Sequence, residues 1–335
     1  MNVAEAGESG LISRIAEVVN RNPDSASRKD VIFGIGDDAA AWYGDNSIQL
    51  ATVDALRQGI HFELETTTWA DLGWKALAVN LSDIAAMGGM PRFALVSLAL
   101  PGSTDIEDVV AFYEGMTELA RKFDVAVIGG DTDRGPLVDV SVTVLGRTKT
   151  REQPLLTRSS ARVGDLIAVT GSLGGAAAGC KILKERLSVE NNTANALLSA
   201  FQRPVPRVVE GGILVENGVR TAIDVSDGLI ADLEHICRAS RVGARIEASK
   251  IPVSPDVKTG FYSGALEMAL SGGEDYELLF TADRGVIEGV KNAISCPVTV
   301  IGEVIADANY NVAVIGQDGK AETNHRKGWE HFKSN

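Results

Sequence analysis

The chain has 335 residues, of which 45% are hydrophobic and 23% charged, and its formal net charge is −13 at pH 7. This length exceeds what one hydrophobic core usually serves and predicts two domains, while the composition is that of a globular protein. The acidic balance argues against nucleic acid or a membrane as a partner, because both attract net positive charge. Phosphates would have to be bound through metal ions.

The first residues predict an amphipathic helix and no export signal. After Ser9, a good N-cap, apolar residues recur at helical spacing from Leu11 to Val19. The same stretch contains acids and lacks a basic region followed by an apolar run, so we expect no signal peptide. No apolar stretch elsewhere reaches transmembrane length.

The three cysteines predict neither a disulfide framework nor a zinc site. Cys180, Cys237 and Cys296 are odd in number, far apart and without C-x-x-C spacing. Unpaired cysteines are typical of a reducing compartment, so we predict a cytoplasmic protein.

The first half of the chain predicts a mixed succession of strands and helices rather than a regular βαβ alternation. Strands are predicted at Val31–Phe33, Gln49–Val53, Phe93–Leu100, Val125–Ile128 and Val138–Leu145, and helices at Trp69–Met87 and Ile106–Lys122. The segment from Thr148 to Arg162 is polar, basic and not periodic, which predicts the join between domains 1–148 and 149–335.

The second half predicts a further mixed α/β domain. Strands are predicted at Leu166–Thr170, Thr221–Ile223, Tyr276–Thr281 and Val298–Ile301, and helices from Gly174 onward, at Pro206–Glu216 and at Asp227–Ser240. We expect Tyr276–Thr281 and Val298–Ile301 to be the last well-defined strands. The predicted fold class is therefore a two-domain mixed α/β protein.

Aspartates recur directly after strand-like runs that end in glycine or a small residue. The pattern occurs at Gly34-Ile-Gly-Asp-Asp38, Ala51-Thr-Val-Asp54, Gly129-Gly-Asp-Thr-Asp133 and Asp224-Val-Ser-Asp-Gly228, and Asp83 adds a carboxylate from a predicted helix. Strand ends and the loops that follow them are where rigid folds place functional groups.

These aspartates predict a magnesium site if the fold brings them together. Converging carboxylates repel one another unless cations lie between them, and Mg²⁺ prefers oxygen ligands from a few carboxylates, water and substrate phosphates. The ordinary alternative is that each aspartate forms a turn or caps a helix. The repetition favours the metal interpretation for Gly129-Gly130-Asp131 and for Asp224-Val-Ser-Asp227.

Two glycine patterns suggest other nucleotide sites and are rejected. Gly34-Ile-Gly-Asp-Asp-Ala39 matches a dinucleotide fingerprint, but acids stand where a pyrophosphate must approach and no helical pattern follows. Gly174 to Gly179 has the glycine spacing of a P-loop but lacks the Lys-Ser/Thr that must follow. The sequence does not distinguish whether the turn from Thr170 to Gly175 binds a phosphate or serves only for packing.

Three further features each have a structural and a functional interpretation. Arg158 is either a solvated side chain or a phosphate clamp. His61, seven residues after Asp54, and the acidic turn from Ser271 to Tyr276 could be structural or bind a ligand. No spacing suggests a Ser-His-Asp triad or a nucleophilic cysteine.

Long motifs in this order resemble the thiamine-monophosphate kinase family. They are Gly34-Ile-Gly-Asp-Asp-Ala39, Lys75-Ala-Leu-Ala-Val-Asn-Leu-Ser-Asp-Ile-Ala-Ala-Met-Gly88, Gly129-Gly-Asp-Thr132, Leu156-Thr-Arg-Ser159, Ile223-Asp-Val-Ser-Asp-Gly-Leu-Ile-Ala-Asp232 and Leu270-Ser-Gly-Gly-Glu-Asp-Tyr-Glu-Leu278. The resemblance runs from the first predicted helix to Trp329 and covers nearly the whole chain.

The resemblance implies a fold, a reaction and a set of site residues. The fold would be that of the aminoimidazole ribonucleotide synthetase superfamily, with N-terminal domains forming a β-barrel across a homodimer, and the reaction would convert ATP and thiamine monophosphate into ADP and thiamine diphosphate. Several Mg²⁺ ions would be held by Asp38, Thr52, Asp54, Asp83, Asp131, Asp224 and Asp227; Gly130, Asp131, Arg158 and Ser226 would contact ATP; and His61, Glu274 and Trp329 would face thiamine monophosphate. Val53 stands where the family often has a hydroxyl residue, so its side chain cannot supply a metal ligand.

This reaction does not require a strong general base. The acceptor would be a phosphate oxygen that is already anionic near neutral pH, so positioning and charge neutralisation suffice, with Arg158 as a charge stabiliser. Trp329 would either stack on an aromatic ring of the substrate or anchor the C-terminus. The alternatives are a related synthetase, which the absence of a cysteine before Cys180 disfavours, and a non-catalytic protein that binds nucleotide or metal.

Overall fold

The computed structural model describes residues 31–33, 40–43, 47–316, 318–322 and 328. The helix predicted after Ser9 lies outside these residues. Two β-sheets, each with helices packed against it, account for the described residues. Within them, no helix is both long enough and apolar enough to cross a bilayer.

The first sheet has six strands, in the order β1-β2-β3-β6-β4-β5. They are β1 Val31–Phe33, β2 Ala40–Tyr43, β3 Ile48–Arg57, β4 Met90–Leu100, β5 Ala126–Arg134 and β6 Asp139–Arg147. All neighbouring pairs are antiparallel except β4 and β5, which are parallel. Alternate residues of β6 are buried, as the period of a strand with one covered face requires.

Two helices, α1 (Trp69–Ala86) and α2 (Ile106–Lys122), cover one face of this sheet. They approach each other closely because glycines lie at the contact. A Cβ atom on Gly73 would lie 1.8 Å from the carbonyl oxygen of Phe112, and one on Gly115 would lie 1.8 Å from that of Ala70. Larger residues at either position would force the helices apart.

The second sheet has seven strands, in the order β13-β12-β9-β11-β7-β10-β8. They are β7 Leu166–Thr170, β8 Thr221–Asp224, β9 Gly243–Glu247, β10 Leu278–Ala282, β11 Val298–Ile305, β12 Val312–Ile315 and β13 Ala321–Glu322. The accompanying helices are α3 Gly175–Glu185, α4 Asn191–Gln202, α5 Val208–Glu216, α6 Leu229–Ser240, α7 Pro255–Gly260, α8 Ala265–Ser271 and α9 Arg284–Ala293. Of the strand pairs, only β9 and β12 are parallel.

Both faces of the second sheet are covered, so its central strands are apolar throughout. Leu279 of β10 joins the core beneath α6, whereas its neighbours Leu278 and Phe280 join a separate core that includes residues of α5 and α9. Every residue of β10 is buried. A continuous apolar run is the expected sequence of such a strand.

Helix α1 lies between the two sheets and is buried on nearly all sides. Fourteen of its 18 residues are buried. The Trp74 indole N–H donates to the carbonyl oxygen of Pro204 at 2.8 Å, and a Cβ atom on Gly211 of α5 would lie 2.2 Å from the carbonyl oxygen of Ala85. The helix therefore belongs to the packing of both sheets, and its polar residues face groups from either side.

The elements predicted within the described residues are confirmed, with shifted ends. The strand predicted from Tyr276 begins at Leu278, since Tyr276 has a left-handed backbone with φ of +51°. The helix predicted from Asp227 begins at Leu229, after Gly228 with φ of +123°. The expectation that Val298–Ile301 would be among the last strands was wrong, because β12 and β13 follow it.

Candidate active site

The end of α1 and the middle of β3 bring oxygen atoms together. Thr52 and Asp54 lie on the same face of β3, since side chains alternate along a strand. The Thr52 hydroxyl donates to Asp83 Oδ2 at 2.5 Å. Val53 lies between them, points to the opposite face of the sheet and is 62% exposed. The predicted ligands Thr52, Asp54 and Asp83 thus lie on the helix side of the first sheet.

Ser82, which precedes Asp83 on α1, contacts the second sheet. The Ser82 hydroxyl donates to Asp224 Oδ2 at 2.6 Å, and both residues are buried. Asp224 ends β8, and Asp83 follows Ser82 directly, so consecutive residues of α1 contact acids from the two sheets. Sites between two layers are a common location for ligands.

The loop after β8 is held by a buried carboxylate from α6. Asp232 Oδ2 accepts the backbone N–H groups of Ser226, Asp227 and Gly228 at 3.1, 3.2 and 3.0 Å. Burial raises the pKa of Asp232 well above its ordinary value, and the charges of Asp227 and Asp224 raise it further. Asp232 therefore sets the course of the loop that carries two predicted metal ligands and Ser226.

The acidic segment Ser271–Glu277, which precedes β10, pairs with the same loop. The N–H of Glu274 donates to the carbonyl oxygen of Ser226 at 2.7 Å, and the N–H of Tyr276 donates to that of Val225 at 2.9 Å. Glu274 and Tyr276 have φ of +60° and +51°. Residues other than glycine rarely adopt this conformation, and here it accompanies the two backbone hydrogen bonds to the loop after β8.

Tyr276 shows that the acids from both sheets share one region. Burial raises the pKa of this phenol well above its ordinary value, and the negative charges of Glu274, Asp54, Asp224 and Asp83 raise it further, in that order. Their charges can act on the hydroxyl only if they lie near it. Together with the Thr52–Asp83, Ser82–Asp224 and Glu274–Ser226 contacts, this indicates that Asp54, Asp83, Asp224 and Glu274 lie in one region of the molecule.

The turn between β7 and α3 is occupied by protein. Asp275 Oδ2 accepts the N–H of Gly174 at 2.7 Å, and Oδ1 accepts that of Ala176 at 3.2 Å. Burial raises the pKa of Asp275 to about 7. Because a carboxylate already takes these N–H groups, the structure favours the packing interpretation of this turn over a phosphate site.

Arg158 lies beside α6 rather than in open solvent. Its carbonyl oxygen accepts the Ser240 hydroxyl at 2.7 Å, and the residue is half-buried. Burial, with a smaller contribution from the charges of Arg158 and Arg238, lowers the pKa of His235 to about 4. Ligand atoms of His235, Asp232 and Asp227 lie within 4.8 Å of one another, so the Arg158 charge acts close to the loop after β8.

Gly130 and Asp131 lie on the edge strand β5, away from Asp54. The strand registers align Asp54, Val142 of β6, Val96 of β4 and Gly130 in one row. Three strand spacings of about 4.8 Å therefore separate Asp54 and Gly130, or roughly 14 Å along the sheet. Asp131 is exposed, and its Oδ1 accepts the N–H of the next residue at 2.9 Å.

The remaining predicted residues are placed in part. His61 lies beyond the end of β3, where its Nδ1 accepts the N–H of Arg57, the last residue of that strand, at 2.9 Å. At about 3.3 Å per residue, Arg57 lies about 10 Å along the strand from Asp54. Asp38 and Trp329 lie outside the described residues.

The groups that hold the site were not singled out from the sequence. The motifs quoted above contain Ser82, Asp232 and Tyr276, but the sequence predicted no role for them. Ser82 contacts Asp224, 142 positions away; Asp232 contacts Ser226, 6 positions away; and Tyr276 contacts Val225, 51 positions away. A serine directly before an aspartate on a predicted helix carries no signal of such a contact. Asp232 could have been found, since it lies one helical turn beyond a conspicuous Asp-Gly.

The chain matches two families along most of its length. Residues 36–148 match the family described as AIR synthase related protein, N-terminal domain, and residues 162–315 match its C-terminal domain. The thiamine-monophosphate kinase of Escherichia coli (strain K12) is 41% identical over 341 aligned positions, covering 97% of this chain and 98% of that protein. That of Bacillus subtilis (strain 168) is 37% identical, covering 93% and 97%.

Solved structures agree with these matches. AaThiL complexed with AMPPCP and TMP is 32% identical, with a TM-score of 0.85 and coverage of 99% of each chain. Thiamine-monophosphate kinase from Stenotrophomonas maltophilia K279a is 38% identical, with a TM-score of 0.75 and coverage of 93% of this chain and 96% of that one. The chain therefore belongs to the thiamine-monophosphate kinase family.

Proposed function

We propose that the protein transfers the terminal phosphoryl group of ATP to thiamine monophosphate and so forms thiamine diphosphate. The observation that carries the proposal is that consecutive residues of α1 join acids from the two sheets: Asp83 accepts the Thr52 hydroxyl on the strand that carries Asp54, and Ser82 donates to Asp224. Relatives named for this activity cover 97% of the chain, and a structure similar to this one was obtained with an ATP analogue and TMP.

The residues that gather at the site fit Mg²⁺. They offer carboxylate and hydroxyl oxygens, which Mg²⁺ prefers, and the sulfur ligands that would favour zinc are absent from this group. Asp54, Asp83 and Asp224 bring three carboxylates from β3, α1 and β8 into one region, and a divalent cation offsets such a concentration of negative charge. We propose that Asp38, Thr52, Asp54, Asp83, Asp131, Asp224 and Asp227 hold several Mg²⁺ ions. When bound, Mg²⁺ would neutralise charge on the transferred phosphoryl group.

The chain's own residues would act by holding the reactants in line. A phosphate oxygen of the acceptor is already anionic near neutral pH, so the protein need not remove a proton to create the nucleophile. Ser82 and Asp232 fix Asp224 and the loop after β8 by hydrogen bonds, which keeps the ligand set in place before substrates bind. Arg158, which acts on the same loop, would offset negative charge that develops on the phosphoryl group.

The two substrates would occupy different parts of this region. We propose that Gly130, Asp131, Arg158 and Ser226 contact ATP, and that His61, Glu274 and Trp329 face thiamine monophosphate. The distance of β5 from Asp54 supports a nucleotide that extends along the first sheet. Residues 1–148 would bind ATP and Mg²⁺ and form the dimer, and residues 149–335 would complete both sites.

We also propose a homodimer formed through the first sheet. The face turned away from α1 carries Val53, Phe93 and Leu95, which are 62%, 36% and 37% exposed. Val53 and Leu95 share one row across β3, β6 and β4. An exposed apolar face of this kind is typical of a surface that a partner covers, and a second copy of the sheet would close it into a barrel.

The dimer is tested by light scattering on the purified protein. We expect twice the mass of one chain at micromolar concentration, and a single-chain mass for Leu95→Glu. Ile106→Glu is the matched control, because Ile106 is 78% exposed but lies on α2, away from that face. A wild-type protein with the mass of one chain would contradict the proposal.

A cytoplasmic location also remains a proposal. Cys180, Cys237 and Cys296 are all free thiols in the structure. Free thiols suit a reducing compartment, and labelling of fractionated cells would locate the protein.

The kinase activity is tested by measuring ADP release with ATP and Mg²⁺ in the presence of thiamine monophosphate, free thiamine or no acceptor. We expect release only with thiamine monophosphate. Free thiamine would have to react through a hydroxyl group, which requires a general base to remove its proton. Release that is the same with every acceptor, or none at all, would point to a related synthetase or a binding protein.

A further inference from the structure

A buried lysine contacts the acidic segment of the site and has no role in the function proposed above. Lys75 lies on α1, and its side chain is 4% exposed. Its Nζ lies 3.0 Å from Glu274 Oε1 and 3.6 Å from the centroid of the Phe201 ring, on α4. The contact joins the helix between the two sheets to the segment before β10.

Stability does not account for this ammonium group. Although Glu274 Oε1 is close, Nζ forms no well-directed hydrogen bond with any group in the part of the chain that the structure describes, and an ammonium has three N–H donors. A buried ion pair recovers the cost of desolvation only with excellent geometry and further hydrogen bonds. Because Glu274 is 32% exposed and its carboxylate can reach water, an apolar side chain of similar length against Phe201 would cost little stability.

Glu274 is a residue whose orientation needs support. Its backbone is left-handed, with φ of +60°, and its N–H is bound to the carbonyl oxygen of Ser226. The side chain is 32% exposed, so a carboxylate without a nearby cation could turn into water. The Lys75 ammonium, held against the Phe201 ring, keeps one carboxylate oxygen at a fixed place.

We propose that Lys75 is a positioning residue that holds the Glu274 carboxylate in the orientation that receives the cationic acceptor. This inference rests on the proposed function, in which Glu274 faces thiamine monophosphate. The thiazolium ring of that acceptor carries a permanent positive charge, to which a carboxylate is complementary. A carboxylate fixed before binding avoids the loss of side-chain freedom that binding would otherwise require.

The test is Lys75→Met, which removes the charge and keeps an unbranched side chain beside Phe201. We expect the KM for thiamine monophosphate to rise about ten-fold or more, as for the loss of an interaction with a charged group. The KM for ATP and kcat should change by less than about two-fold. The thermal unfolding midpoint should change little, because Glu274 is 32% exposed and can reach water. Lys181→Met is the matched control, since Lys181 lies on α3, is 43% exposed and pairs with Glu185.

A double variant separates an effect through Glu274 from a direct one. If Lys75 acts through Glu274, then Lys75→Met should add little to the KM of Glu274→Gln. A lower unfolding midpoint with an unchanged KM for thiamine monophosphate would show a structural role and overturn the inference, as would additive effects in the double variant. A wild-type protein that does not phosphorylate thiamine monophosphate would remove the proposed function, and this inference with it. Turnover by wild type with an unaltered KM in Lys75→Met would remove the inference alone.

Discussion

The ion pair between Arg207 and Glu277 allows a prediction with a magnitude. Nε and Nη2 of Arg207 each donate to Glu277 at 2.6 Å, and the Thr170 hydroxyl donates to Glu277 Oε2 at 2.6 Å. Burial alone would lower the pKa of Arg207, but the hydrogen bonds and charge of Glu277 raise it above its ordinary value. The Glu277 side chain is 8% exposed and that of Arg207 22%. Glu277 is also the last residue of the acidic segment of the site.

Removal of either partner leaves a buried charge and should cost about 3–5 kcal/mol. For a domain of about 150 residues, 1 kcal/mol shifts the unfolding midpoint by about 2–4 °C. Arg207→Met and Glu277→Met should thus each lower the midpoint by about 6–20 °C. Glu277→Met belongs near the lower end, because the remaining guanidinium can reach water. The double variant removes both charges of the pair and should be less destabilised than either single variant, since apolar replacement of a buried pair is often neutral; the loss that remains comes from Glu210, 13% exposed, whose carboxylate lies 3.9 Å from Arg207 Nη1.

The pH dependence distinguishes the two single variants. In Arg207→Met, Glu277 can escape the burial penalty by binding a proton, which for an ordinary glutamate costs about 4 kcal/mol at pH 7 and about 1 kcal/mol at pH 5. The deficit of this variant should therefore shrink as the pH falls, because the folded state then favours the protonated form. The deficit of Glu277→Met should not shrink, since a guanidinium stays charged. Calorimetry at both pH values measures this. Additive losses in the double variant, or equal pH profiles, would refute the reasoning.

Two further changes test the acidic segment and the edge strand. Asp275→Asn should alter the pH dependence of stability: the folded pKa of about 7 lies above the ordinary value, so the contribution of Asp275 is fully present below about pH 4 and is lost as the pH rises through 7. Wild type should therefore lose stability relative to the variant over this range, and parallel unfolding midpoints would contradict the assignment. Gly130→Ala places a Cβ atom 1.8 Å from the carbonyl oxygen of Val96, so β4 and β5 must separate. We expect ATP binding, measured by calorimetry, to weaken more than ten-fold, and an unchanged affinity would show that this contact can relax.

The sequence predicts elements best where a pattern is long and local. The helix predicted at Trp69–Met87 is observed at Trp69–Ala86, because its apolar residues continue for five turns. Its burial on both sides could not be predicted, since that depends on contacts with residues such as Pro204, 130 positions away. Helix α4 was missed, because its first turn reads Asn-Asn-Thr and its cap is Glu190, which is not among the favoured N-cap residues.

The acids of the candidate site could be predicted, but the groups that hold them could not. The recurrence of aspartate after strand-like runs indicated Asp54 and Asp224, and the predicted helix at Trp69–Met87 contributed Asp83; the negative charges of all three raise the pKa of Tyr276. The Ser82–Asp224 contact depends on how α1 packs against β8, which no local pattern specifies. The strand pairs β9–β11 and β9–β12 join residues more than 50 positions apart, which explains why the short strands β9 and β12 were also missed, since no local pattern specifies such pairing.

The most direct test of the central claim follows the phosphoryl group itself. ATP with a labelled γ-phosphoryl group is incubated with the protein, Mg²⁺ and thiamine monophosphate, and the products are separated and identified by mass. The account predicts that the label appears in thiamine diphosphate and that equal amounts of unlabelled ADP form. Label released as inorganic phosphate, with no thiamine diphosphate, would contradict it.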